Sequence, residues 1–197
     1  MTNVRKEKTQ KLVLGAIFTA LVVILQLMGS FIRFGTFSIS LVLIPIVIGA
    51  ATCGVAIGTW LGFVFGFAVL VSGDAAPFLA INVPATIGIV LVKGAACGLA
   101  ASLVYKVLEK YNQIIAVIVA AITCAVVNTG IFLLGCYIFF FDTLQLWSTT
   151  SGMKFDNTFQ YMILGLVGGN FIFELISNII LSPVVVRILK FNKKTKN

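Results

Sequence analysis

Apolar residues run along this chain in long blocks, not in alternation, and each block is bounded by a short cluster of polar, glycine or proline residues. Blocks of this length predict membrane-crossing helices, because about 20 apolar residues at 1.5 Å per residue match a hydrocarbon core of about 30 Å. The blocks cover 12–28, 41–51, 55–71, 87–107, 114–141 and 161–186. The second and third are separated only by Ala51-Thr52-Cys53-Gly54. A single helix over both would be about 46 Å long, well beyond the hydrocarbon core, so the pattern predicts two helices with a short first member. The expected architecture is all-α and integral to the membrane: one six-helix domain over 1–197, with Pro183 near the end of the last span.

The polar connections are 29–40, 72–86, 108–113 and 142–160. Their charges are unequal. Arg5, Lys6, Lys8, Lys11, Lys106, Lys110, Arg187, Lys190, Lys193, Lys194 and Lys196 fall on one side, against Arg33 and Lys154 on the other. Lys/Arg-rich segments stay in the cytoplasm, so both termini are expected there. This asymmetry accounts for most of the net charge of +8. It reads as a topology signal and contact with anionic lipid, not as a nucleic-acid surface. The N-terminal basic cluster and apolar run also resemble a secretory signal, but the run is longer than an h-region and has no A-x-A site near Gly29.

Composition narrows the chemistry. The chain is 60% hydrophobic and 10% charged, with a mean hydropathy of +1.12, so little is left for a soluble domain. It has no histidine, and Cys53, Cys97, Cys124 and Cys136 all lie in apolar runs without zinc or haem spacing. That argues against a disulfide framework, a metal site or any resident cofactor. No GxxxxGK(S/T) phosphate loop occurs, so any energy for uphill transport comes from elsewhere.

Two ionisable residues stand inside the spans, where each costs at least about 2.5 to 3.5 kcal/mol at the bilayer centre. They are Lys93 in the fourth span and Glu174 in the sixth. Asn170, Glu174 and Asn178 recur every four residues and so share one helix face, with Ser177 beside it. One reading is a Lys93–Glu174 ion pair, or a snorkelling lysine, that ties helices together. The other is a binding site for a small polar molecule, particularly a carboxylate: Lys93 supplies positive charge and the stripe supplies hydrogen bonds, with Asn128 of the fifth span joining them. The 72–86 connection carries Asp74, Pro77, Asn82 and Pro84 around apolar Phe78, Leu79 and Ile81. It reads as an ordered cap over a cavity, so Asp74 and Asn82 are further candidates. Phe34, Phe37, Phe78, Phe132 and Phe171 are candidates for an aromatic lining, whereas Trp147 and Tyr161 read as interface anchors.

Small residues form two further patterns. Gly54, Gly58, Gly62 and Gly66 recur every four residues in the third span, a close-packing face expected to meet another helix of the same chain. Ala16 and Ala20 form a similar pair in the first span, with internal packing and a partner subunit both open.

Taken together, Gly15-Ala16-Ile17-Phe18-Thr19-Ala20, Ile44-Pro45-Ile46-Val47-Ile48-Gly49-Ala50, the glycine-rich third span, Val92-Lys93-Gly94 and Glu174-Leu175-Ile176-Ser177-Asn178 resemble the substrate-binding S components of energy-coupling factor (ECF) vitamin transporters. The resemblance covers nearly the whole chain. It implies capture of a water-soluble vitamin from outside by the ends of helices 4 to 6, with the 1–2 and 3–4 loops as lids. It further implies docking on a transmembrane T component attached to two ATPases, with Ala16 and Ala20 matching the family's AxxxA contact face. The chain itself would then be no enzyme. The 41–54 stretch and Ser72-Gly73-Asp74 are most similar to pantothenate-type members, and riboflavin, folate and hydroxymethylpyrimidine carriers share the scaffold. A solitary secondary transporter is the nearest rival, although no internal repeat is seen. A membrane-embedded enzyme would need a nucleophile with a base, and a scaffold would have no need of Lys93 and Glu174.

Overall fold

The computed structural model describes residues 3–31, 33–34, 37–38, 41–151 and 155–194. The chain begins with α1 (Asn3–Phe31), followed by β1 (Arg33–Phe34) and β2 (Phe37–Ser38). The two short strands pair antiparallel, with Arg33 opposite Ser38. Next come α2 (Leu43–Cys53) and α3 (Val55–Val71), split as expected. Gly54 makes the break: its φ of +93° suits a residue without a side chain, and its N–H closes α2 on the Ala50 carbonyl. At 1.5 Å per residue α2 is only about 16 Å long.

The 72–86 connection, read from the sequence as an ordered cap, carries a helical turn. It contains α4 (Ala76–Leu79), and α5 (Val83–Leu108) starts four residues before the expected boundary. Asn82 accounts for the early start, since its side-chain oxygen accepts the Ala85 N–H at 3.1 Å and caps the helix. Asn112 caps α6 (Gln113–Phe139) in the same way through the N–H groups of Ile114 and Ile115. The fifth span stops at Phe139, not at residue 141. Phe140 leaves helical geometry, and the expected loop 142–160 instead holds α7 (Phe141–Thr150) and α8 (Thr158–Gln160). The sixth block opens as a π-helical turn, Tyr161–Gly168, before continuing as α9 (Gly169–Lys194) with Pro183 inside it.

Among the described residues, four helical stretches are long and apolar enough to cross a membrane: Glu7–Ser30, Val83–Leu108, Gln113–Phe139 and Thr158–Arg187. The apolar helices α2 and α3 are shorter. Tight packing centres on α3 and α5. A Cβ added at Gly62 would strike the Gly94 carbonyl oxygen, one at Gly66 the Val90 carbonyl, and one at Gly98 the Gly58 carbonyl. The backbones therefore touch, which maximises dispersion contacts between helices that gain little from burial in lipid. Gly54 does not share this face and serves only the break. The main core joins Val22, Leu43, Ile46, Leu61, Cys97 and Cys124, and a smaller cluster joins Phe78, Cys136, Phe140, Leu144 and Met162. Along α1, Gly15 turns inward against Ile57 and Thr19 accepts the Trp60 indole N–H at 3.2 Å, whereas Ala16 and Ala20 are exposed.

Candidate functional site

A cavity of about 380 Å³ lies between α1, α3, α5, α6, α7, the π-helical turn and α9. That is within the range of small-molecule sites. Lys93 enters it because the neighbouring Gly94 is pressed onto the α3 backbone, which brings α5 close to Phe65. The lysine ammonium sits 5.7 Å from the centre of the Phe65 ring and 5.0 Å from that of Phe132 on α6. Such cation–π contacts contribute about 0.5 to 2 kcal/mol each and leave the N–H donors available to an anion.

On α9, Asn170 and Glu174 face the same cavity, and Glu174 is 1% exposed. The Asn170 amide donates through Nδ2 to Glu174 Oε1 at 3.4 Å, while its own Oδ1 is buried with no partner among the described residues. Asn128 of α6 is also buried, and its Oδ1 likewise has no partner among the described residues. A buried amide oxygen left unmet costs roughly 1 to 3 kcal/mol, and a bound donor removes that cost. From the turn after α3, Asp74 accepts hydrogen bonds from Gln26 Nε2 at 2.7 Å and Ser72 Oγ at 3.3 Å. Aromatic rings close one end: Phe78 of α4 meets Phe132, Phe140 and Trp147 edge-on at centroid distances of 5.4, 5.1 and 5.6 Å.

The structure thus brings Lys93, Asn128, Asn170, Glu174 and Asp74 to one cavity. It does not bring Asn82, which is exposed and committed to its cap. Asn178 is buried one turn further along α9, outside the lining, where its carbonyl accepts the Ser182 hydroxyl at 2.7 Å. Phe78 and Phe132 line the cavity, Phe171 packs on the main core, and the side chains of Phe34 and Phe37 lie outside the described residues. Among the described residues no three His, Cys, Asp or Glu side chains gather as a metal site would require.

A family model for the substrate-specific component of ECF transporters matches residues 10–189. The chain belongs to this family. No curated protein matches it. In this S component, the cavity also takes in residues that the sequence does not single out as ligand candidates, among them Gln26, Thr129, Trp147 and Tyr161. Gln26 was visible as the one strongly polar residue late in the 12–28 block, and Thr129 lies beside Asn128. Trp147 and Tyr161, expected as interface anchors, line the cavity instead. Their inward placement depends on α7 and on the π-helical turn, neither of which the apolar pattern reveals.

Proposed function

We propose that this S component captures a water-soluble vitamin from outside the cell, with pantothenate the favoured cargo. The observation that carries the reading is Lys93 held beside Phe65 and Phe132 in a cavity that also presents the amide oxygens of Asn128 and Asn170. An ammonium answers a carboxylate, while unmet acceptors answer hydroxyl and amide donors; pantothenate carries all three groups. Glu174, held by Asn170, then fixes that amide's orientation as well as offering an acceptor of its own. Asp74 ties the outer turn to α1 through Gln26.

In this account the chain crosses a bacterial plasma membrane six times with both termini in the cytoplasm. It docks through the exposed Ala16 and Ala20 face on a T component joined to two ATPases, and those partners alone hydrolyse ATP. Isothermal titration of the ligand-stripped protein in detergent against pantothenate, riboflavin, folate, thiamin, hydroxymethylpyrimidine and pyridoxine tests the cargo. The expected result is tight one-to-one binding of pantothenate. Tight binding of another compound replaces the cargo, and silence across the panel rejects the pantothenate assignment and favours a solitary secondary transporter or binding that needs the partners.

A further inference from the structure

The sixth apolar block is not one regular helix. Between Tyr161 and Gly168 its hydrogen bonds skip five residues instead of four, and side-chain placement follows the wider turn. Met162 and Val167, five apart, are 3% and 9% exposed, while Ile163 and Leu164 between them are 54% and 57% exposed. Tyr161 and Leu166, also five apart, both line the cavity. In an uninterrupted α-helix, faces repeat every three to four residues, so Val167 inward would bring Ile163 and Leu164 inward with it. Tyr161 lies nine residues before Asn170, about two and a half α-helical turns, and would face away from it. The π-helical turn therefore puts Tyr161 on the same side as Asn170 and Glu174.

Gly165 makes room for this. A Cβ there would come within 2.8 Å of the Tyr161 ring and 2.9 Å of Phe155, whose own ring packs edge-on to Tyr161 at 5.3 Å. Tyr161 is thus laid across a bare glycine and braced by Phe155 at the cavity lining.

We propose that Tyr161 is a ligand-contacting, specificity-determining residue and that the π-helical turn is what positions it. The inference rests on the binding-subunit reading for its ligand, but the register of the turn is independent of it. The surplus residue is the core of the idea. Deleting Leu164 converts the five-residue repeat to four, which an α-helix satisfies with Tyr161 and Met162 still inward. Inserting an alanine after Leu164 turns them away.

The test uses the full chain with Cys136→Ala as reference, since Cys136 lines the cavity and Cys53, Cys97 and Cys124 are buried elsewhere. Tyr161→Cys, Leu166→Cys, Ile163→Cys and Leu164→Cys are each added, and labelling by a charged, water-soluble thiol reagent is timed with and without pantothenate. Faster labelling at 161 and 166 than at 163 and 164 is expected. Equal or reversed rates overturn the register, whether or not pantothenate binds. In protein that binds pantothenate by calorimetry, ligand should slow labelling at 161 at least about tenfold and leave 163 unchanged; no protection overturns the contact. Tyr161→Ala and the alanine insertion should each weaken binding about tenfold or more, while deletion of Leu164 stays within about threefold of the reference. A folded deletion variant that binds as poorly as the insertion contradicts the surplus-residue account. If the reference protein binds no pantothenate, the cargo assignment fails and the labelling pattern alone still decides the positioning.

Discussion

Gln26 on α1 donates to the Asp74 carboxylate at 2.7 Å, across 48 residues of sequence, and so fastens the turn after α3 to the first helix at the edge of the cavity. Ser72 completes the node: its hydroxyl oxygen accepts from Gln26 at 3.3 Å while its hydroxyl donates to Asp74 at 3.3 Å. The next turn of chain carries Phe78 into the Phe132, Phe140 and Trp147 rings. One short segment is thereby held by a polar contact on one side and an aromatic one on the other. Hydrogen bonds to a charged group contribute roughly 1.5 to 3 kcal/mol. Gln26→Leu removes that donor and should speed ligand release by roughly tenfold or more. Stopped-flow dissociation measures this; a rate equal to wild type would mean that the node does not hold the segment over the ligand.

Lys93 is the strongest anchor in the account. Lys93→Met keeps the stem packed against Phe65 and Phe132 and removes only the charge. Affinity should fall roughly 100-fold, about 3 kcal/mol, while copurification with the T component stays at wild-type yield. Retained affinity would remove the lysine from the site.

The α3–α5 contact makes a prediction about stability alone. Gly62→Ala drives a methyl into the Gly94 carbonyl, and overpacking of this kind costs typically 1 to 3 kcal/mol or more where backbone blocks relaxation. Its melting temperature in detergent should drop by several degrees. Gly88→Ala, on the facing helix α5 with open space around it, should leave melting unchanged or raise it slightly. Equal effects at both positions would contradict the close approach.

Ala16 and Ala20 are exposed although Gly15, Phe18 and Val22 of the same helix turn inward. Ala16→Leu or Ala20→Leu should therefore leave ligand affinity intact and weaken capture of the T component, because added bulk stops close helix approach. Wild-type copurification would refute the docking assignment.

How much of this was legible in the sequence depends on the kind of signal. Apolar run length disclosed the long spans and a break within 51–54, since a single helix over both blocks would exceed the hydrocarbon thickness, and glycine's freedom at positive φ sets the break at Gly54. The membrane cost of charge singled out Lys93 and Glu174, and helical spacing correctly grouped Asn170 with Glu174. Spacing does not separate Asn178 from the site, because a face is longer than a cavity, and Gln26, although visibly polar within the 12–28 block, is not placed at the site because nothing local says that α1 borders it. Asn82 stands outside the cavity lining as the cap of α5, a role the sequence does not separate from a ligand contact because both use the same side-chain oxygen. The helix α7 and the π-helical turn escaped because tertiary packing, not apolar periodicity, sets their geometry.

The central claim is that this chain binds cargo but moves it only with partners. Proteoliposomes containing the chain alone, and others containing it with a T component and two ATPases, are loaded with ATP and supplied with radiolabelled pantothenate outside. The account predicts saturable binding by both and accumulation only by the full assembly with hydrolysable ATP. Accumulation by the chain alone, driven by an ion gradient, would contradict it and establish a solitary secondary transporter.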